Sequence, residues 1–356
     1  MSRVEEAVSG SMLEAEIREQ PAVVAARAAA GLHAAAEVAA LTRGSDVSYW
    51  AIAARGSSDN AARFAQYLWG RHLGLATYLA APSLYAEGRP PVMARAAVLG
   101  VSQSGQSPDI VRVLSIARDQ GRPTIAITND ASSPLAGQAD VVVPLLAGRE
   151  RSVAATKTYT ATLHAVAQLA VALGAPDLAD DLDRMPDLLE ATVSDALVRS
   201  APDLSGPSGS SLATPLTTVG RGTGFATAAE TALKIREVAG IRAESYPVPD
   251  LLHGPVAANG VGSAAWVVCS PSYPPGYWSE VVSGLVASGV HVVAVHEAGQ
   301  GEISAPASIE LPAGLPAWLF DAAAVIHGQV AALRLGEARA VDVDRPVGLN
   351  KVTRTT

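Results

Sequence analysis

The stretch VLGVSQSGQSPDIV, Val98 to Val111, decides how the rest of the chain reads. Its apolar half, ending at Val101, has the composition of a buried strand. The polar run that follows, Ser102-Gln103-Ser104-Gly105-Gln106-Ser107, offers five side chains that can contact an anion. A helix begins directly afterwards. Ser107 takes the place of an N-cap hydroxyl, Pro108 that of the first helical residue, and Asp109 complements the positive helix end. Strand, small-residue loop and helix N-terminus together form a cradle for an anion, most often phosphate. A capped βα turn with solvated serines accounts for the same residues, because neither G-x-G-x-x-G nor G-x-x-x-x-G-K-[ST] spacing is present.

Working outward, the first half repeats this arrangement. Val47 to Ala53 reads as a strand, Arg55 to Asn60 (RGSSDN) as a second polar loop, and Ala61 to Leu73 as a helix. Further strands are expected at Leu75 to Leu79, Thr124 to Thr128 and Asp140 to Leu145, with a helix over Asp109 to Asp119. Alternating strands and helices predict an α/β fold with a parallel sheet covered on both faces and ligands at the carboxyl ends of the strands. Both polar loops fall on that edge. A third, Ser152 to Thr158 (SVAATKT), opens a long apolar helix to about Leu173; its Thr156 and Lys157 either join the anion site or form a capped start with a solvated lysine. Before the first strand, Met12 to Leu41 is helical by pattern, with Pro21 starting a second helix. Helical pattern returns from Leu178 to Val198 with an expected interruption at Pro186, and SGPSGSS, Ser205 to Ser211, has linker composition.

Beyond the linker the pattern restarts. Val219 to Gly224 (VGRGTG) echoes Ala53 to Ser58, and Ala265 to Ser270 with its following helix and strand echoes Ala97 to Ser102 onward, which suggests a duplicated fold. The copies differ in chemistry: Ser270-Pro271-Ser272-Tyr273-Pro274-Pro275 replaces the Ser-Gln loop, and its prolines remove amide donors. One anion site per chain is therefore expected, in the first copy. In the second, Glu230, Lys234 and Glu237 recur at helical spacing, which by itself reads as a solvated salt-bridge stripe. PVPDLLHGP, Pro247 to Pro255, is a proline-bounded loop carrying Asp250 and His253. His164 and His327 read as packed or partly exposed helix residues, and no histidines show metal-ligand spacing.

Composition excludes several classes. The 356 residues suffice for two domains, and with 49% hydrophobic and 17% charged residues the chain is globular. A formal net charge of -8 argues against nucleic acid or an anionic membrane as partner, leaving a small ligand. Cys269 is the single cysteine, so neither an intrachain disulfide nor a cysteine-built zinc site is expected, in keeping with a reducing cytoplasm. The acidic N-terminal stretch lacks the apolar core of a signal peptide, and no run of about 18 apolar residues predicts a membrane span.

SQSGQS, SVAATKT, ETALKIREV with AES shortly after, DLLHGP and the tail DVDRPVGLNKVT resemble, in that order, the paired sugar-isomerase (SIS) domains of the isomerase half of glutamine:fructose-6-phosphate amidotransferase. The glutaminase domain of that enzyme is absent, and the style of the motifs is similar to the stand-alone type II glucosamine-6-phosphate deaminases. The resemblance implies two tandem SIS domains, each a flavodoxin-like three-layer sandwich: an N-terminal helical segment (1–44), a first domain (45–200), a linker (201–212), a second domain (213–340) and a tail closing the site (341–356). It also implies roles for individual residues. Ser102, Gln103, Ser104 and Ser107 would bind phosphate, with Ser57 nearby and Val153, Ala155 and Thr156 on the sugar. Glu237 matches the proton-transfer carboxylate, Lys234 its neighbour, and Lys351 the tail lysine that can form a Schiff base with the ketose. His253 matches the ring-opening histidine, which in the family reaches the site from the other subunit of a dimer. Gln106 stands where the family has Glu, and Pro249-Asp250 where it has Gly-Glu.

These residue types suit proton transfer between carbons 1 and 2 of a sugar phosphate through an enediol or enolamine, with one carboxylate acting alternately as base and acid. Lys234 can steady a developing oxyanion, and an imidazole can protonate the ring oxygen. No metal or redox cofactor is required. The expected activity is conversion of glucosamine 6-phosphate to fructose 6-phosphate and ammonia by a cytoplasmic homodimer. A 6-phospho-fructosamine deglycase, another amino-sugar phosphate isomerase and a non-catalytic phosphosugar sensor are the alternatives.

Overall fold

A computed structural model describes residues 11–86, 88–199, 216–299 and 303–351. The chain opens with α1 (Met12–Arg18) and α2 (Gln20–Arg43), the latter with Pro21 in its first turn as expected. Then follow β1 (Tyr49–Ala53), α3 (Ser57–Leu73), β2 (Thr77–Leu79), α4 (Ser83–Ala86), β3 (Ala96–Val101), α5 (Pro108–Asp119), β4 (Thr124–Thr128) and β5 (Val141–Pro144). Helices α6 (Lys157–Leu173) and α7 (Ala179–Val198) complete the first half. The second holds β6 (Leu216–Gly220), α8 (Thr223–Ala239), β7 (Ala243–Pro247), α9 (Val248–Leu252), β8 (Ala264–Cys269), α10 (Pro275–Ala287), β9 (His291–Glu297), β10 (Ala307–Leu311) and α11 (Ala317–Ala338).

The strands form two parallel five-stranded sheets, ordered β2-β1-β3-β4-β5 and β7-β6-β8-β9-β10. Taken in sequence within each half, both orders are 2-1-3-4-5, the flavodoxin-like arrangement with its switch point between the first and third strands. β3 and β8 are buried at every residue, as strands covered on both faces must be. The duplication extends to backbone detail. Gly56 and Gly222 both precede their helix at φ 57, ψ -131 and φ 62, ψ -136, a conformation open to glycine alone.

The halves share a core. One continuous set of buried side chains runs from Leu13 in α1 through Trp50, Trp69 and Leu163 to Ile235, Phe320 and Leu333. Trp50 meets Trp69 edge to face at 5.0 Å, and Trp69 Nε1 donates to the Val166 carbonyl at 3.0 Å, which ties α3 to α6. α11 packs on α8, and α3 packs on both α6 and α8, so the inner helices of the two halves join directly beside the switch point of the first sheet.

Several expectations change. α3 begins at Ser57, not Ala61, because Gly56 turns the chain into the helix at once. Pro186 lies inside α7 without ending it. Proline costs about 3 kcal/mol in a helix interior, but Leu182, Met185, Leu189 and Val193 bury one face of α7 beside α2 and α11, and that burial offsets the loss. β7 and β10 were not anticipated; each is an edge strand whose short polar-apolar sequence carries little signal. The proline-bounded loop folds as α9 and a 3-10 turn over Pro255–Ala258. α2 is, among the described helices, the one long and apolar enough to cross a membrane, with mean hydropathy 1.3, where no such segment was expected. Its Val23, Val24 and Val38 are buried, and it packs against α6, α7 and β5. The linker at 201–212 lies outside the described residues.

Candidate active site

The polar loop after β3 keeps its shape through glycine. Gly105 sits at φ 61 against β4, where an added Cβ would come within 2.1 Å of Ser133 Oγ. Ser102 Oγ accepts from the Gly105 amide at 3.2 Å, Ser104 Oγ from the Gln106 amide at 3.3 Å, and the Gln103 carbonyl from the Asn129 amide at 3.0 Å. Ser107 stands at the N-cap of α5, yet its hydroxyl makes no capping bond. It lies 3.5 Å from Ser102 Oγ instead, so both hydroxyls face the space enclosed by the loop.

That space is a cavity of about 320 Å³, at the small end of the range for small-molecule sites. Ser57, Ser102, Gln103, Ser104 and Ser107 line one side, and Val153 and Ala155 another. Glu237 and Lys351 complete it. Thr156 does not line it: the side chain is fully buried beneath, and its amide donates to Glu150 Oε1 at 3.0 Å. Lys157 is neither solvated nor in the site. Its buried ammonium bonds Glu19 Oε2 at 2.5 Å and the Arg149 carbonyl at 2.9 Å.

The expected solvated stripe on α8 is overturned. Glu230 and Lys234 are completely buried because α8 packs against α3, and only Glu237 reaches the cavity. Glu230 accepts from Ser57 Oγ and Asn60 Nδ2, both at 2.8 Å, bridging the halves at the loop after β1. Lys234 Nζ bonds Glu237 Oε2 and lies 3.4 Å from Glu230 Oε1. Burial disfavours the Lys234 ammonium, but the two carboxylates outweigh it and leave its pKa above the usual value; burial likewise raises that of Glu230. Lys234 therefore meets the cavity only through Glu237.

Lys351 arrives from the C-terminal tail. Its Nζ bonds Glu150 Oε2 at 2.6 Å. Glu150 is a site residue that sequence reasoning missed: its fully buried side chain also accepts from the amides of Thr156 and Thr158 and from Thr158 Oγ1. Only its place before a helix start marks it in the sequence. The tail is latched at Asp344, whose carboxylate accepts the Met12 and Leu13 amides at 3.0 and 2.8 Å and whose carbonyl accepts the Val153 amide at 3.1 Å. His253 stands apart. It follows α9, is exposed, and does not line the cavity. Among the described residues there is no cluster of three or more His, Cys, Asp or Glu that could hold a metal ion.

In the second copy a cavity of about 530 Å³ also borders the corresponding loops, at Gly222, Thr223, Ser272 and Tyr273, but the hydroxyls of Thr223 and Ser270 are taken up by the chain itself. Asp321 of α11 is completely buried, and its Oδ2 accepts from Thr223 Oγ1 at 2.5 Å and Ser270 Oγ at 3.0 Å. Burial pushes its pKa up to about 7. Besides the prolines of the second loop, these two bonds set this copy apart from the first, because the hydroxyls of Thr223 and Ser270 are already engaged.

Comparison with known proteins agrees with this geometry. A SIS domain is recognised over residues 50–172. The glutamine–fructose-6-phosphate aminotransferase of Symbiobacterium thermophilum is 31% identical over 334 residues, 89% of this chain and 52% of that enzyme. That of Aeropyrum pernix is 30% identical over 316 residues, 84% and 50%. The chain thus spans about half the length of the curated relatives it matches. A solved structure assigned as a phosphosugar isomerase, from Silicibacter pomeroyi DSS-3, is 32% identical with a TM-score of 0.82, over 94% of this chain and 100% of its own. The glucosamine-6-phosphate deaminase of Thermotoga maritima shares the fold, with a TM-score of 0.73 at 18% identity over 97% of this chain and 100% of that one. Matched along the full length of such a relative and built from two sheets of one order, the chain belongs to the SIS family of phosphosugar isomerases and is related to the isomerase half of glutamine–fructose-6-phosphate aminotransferase.

Proposed function

We propose that the protein converts glucosamine 6-phosphate to fructose 6-phosphate and ammonia. The observation that carries this reading is the cavity in which a hydroxyl-rich helix-start loop faces the Glu237 carboxylate, with Lys351 above both. In this reading Ser102, Gln103, Ser104 and Ser107 hold the 6-phosphate and Ser57, Val153 and Ala155 border the sugar. Once the ring is open, Glu237 takes the proton from carbon 2, whose electron pair forms the double bond of an enolamine while the carbon 1 oxygen is protonated. Return of the proton to carbon 1 leaves an imine at carbon 2. Water adds there, and ammonia departs. Lys234, bonded to Glu237, orients that carboxylate.

The proposed chemistry needs no metal or redox cofactor and takes place in the cytoplasm. Ring opening falls to His253. Since His253 lies outside its own chain's cavity, the reading requires a homodimer in which the partner copy supplies it. Ammonia and fructose 6-phosphate appearing together from glucosamine 6-phosphate is the expected result with purified protein. Turnover of a 6-phospho-fructosamine in its place makes the enzyme a deglycase, and binding without any turnover makes it a sensor. Mixing Glu237→Gln and His253→Ala chains, each inactive, is expected to restore roughly a quarter of wild-type activity through hybrid dimers that hold one intact site.

A further inference from the structure

The cavity has one cation whose role is still open. Lys351 is committed to Glu150, whereas Arg55, which also lines the cavity, rises from the loop between β1 and α3. Its Nε donates to Asp109 Oδ2 at 2.8 Å. Asp109 is buried in the first turn of α5, two residues beyond Ser107, and its Oδ1 is occupied by the Ile110 amide at 2.9 Å.

That second bond has a consequence for the guanidinium. Arg199 closes a two-pronged fork on Asp195 through Nε and Nη2, at 2.6 and 3.0 Å, the bidentate geometry that arginine often makes with a carboxylate. On Asp109 the fork does not close. Arg55 is held by Nε alone, and its two Nη groups make no hydrogen bond to the described residues while its side chain remains 51% exposed. The second copy confirms that this arrangement is particular to the first. Arg221, which like Arg55 precedes the helix-capping glycine, lies over the rings of Tyr277 and Tyr273 at 5.0 and 4.3 Å.

We propose that Arg55 binds the phosphate of the substrate through its Nη groups and that Asp109 is the residue positioning it. The proposal rests on the reading above only in taking a sugar phosphate as the occupant. A phosphate monoester carries about -1.5 to -2 charge at neutral pH, and the serine hydroxyls and loop amides that face it are all neutral. A guanidinium set at the rim of that loop supplies both the compensating charge and a planar pair of donors.

Isothermal titration of the full chain with inorganic phosphate, fructose 6-phosphate and unphosphorylated fructose, together with steady-state kinetics, tests this. Arg55→Ala is expected to weaken both phosphate ligands by about ten- to hundredfold, the loss of a hydrogen bond to a charged group, and to raise KM similarly while kcat falls less than about threefold. Asp109→Asn should shift KM in the same direction by a smaller factor, and Arg55→Lys should recover part of the affinity. Fructose, lacking phosphate, should respond to none of these changes. Unaltered phosphate and fructose 6-phosphate affinity in a folded Arg55→Ala protein overturns the proposal, as does an equal loss for unphosphorylated fructose. Tight phosphate binding that depends on Arg55, with no turnover of glucosamine 6-phosphate, refutes the proposed activity and leaves this assignment standing.

Discussion

The two copies of the fold share one sheet order and differ in the chemistry of one edge. In both, the turn after the first strand carries a glycine with the same rare backbone angles, an arginine precedes that glycine, and a serine directly follows the third strand. In the first copy the serines open onto a cavity and the arginine is only half engaged. In the second, Thr223 and Ser270 donate to the buried Asp321, and the arginine is stacked between tyrosines. The hydroxyls that line the cavity in one copy are bonded in the other to a buried carboxyl group of the chain itself. In the second copy the same positions make a structural bond that joins α11 to the start of α8 and to the loop after β8.

The largest expected effect bears on the working copy. Glu237→Gln should lower kcat by about 10²- to 10⁴-fold, the usual worth of a positioned acid-base group, while fructose 6-phosphate affinity measured by titration stays within about threefold. Next in size is a contrast between equivalent hydroxyls. Ser104→Ala should weaken phosphate binding by about tenfold, the size of one lost hydrogen bond to a charged group. Ser270→Ala should leave phosphate binding unaltered but destabilise the fold by about 1–3 kcal/mol in urea unfolding, because Asp321 loses a donor. If Ser270→Ala weakened phosphate binding as much as Ser104→Ala, the second copy would be a working site.

Asp321 also predicts a pH dependence. Its pKa is raised by burial from 3.8 to about 7, so the folded state keeps a proton that the unfolded chain has released. This contribution to stability is full below about pH 4 and is lost as the pH rises through 7. Asp321→Asn, neutral throughout, should flatten that part of the profile and gain in Tm relative to wild type between pH 6 and 8. Equal pH profiles for the two proteins would mean that Asp321 does not titrate in this range. The smallest effect concerns the tail: Asp344→Ala removes the carboxylate that caps α1 and should cost about 1 kcal/mol. It should also lower turnover through the displaced Lys351, read as a change in kcat larger than that in phosphate affinity.

What was legible from residues alone was local or repeated. Strand periodicity and the small-residue loop before Pro108 each lie within a dozen residues, and RGSSD is echoed by RGTG 166 positions later; together they predicted the parallel sheets and the duplication. The tandem SIS architecture then followed from five motifs in order. The pairs that complete the site are of another kind. Lys351 meets Glu150 across 201 positions, Glu230 meets Ser57 across 173, and Asp344 meets Leu13 across 331. A helical stripe of Glu and Lys looks the same in sequence whether it faces water or another helix, so α8 read as solvated until α3 was packed against it. Sequence by itself determined most of the segments that form strands and helices and the repeat of one fold, because those depend on neighbouring residues and backbone propensity. Only the tertiary structure decided which charges are buried and paired, since burial and ion pairing depend on what the rest of the chain brings alongside.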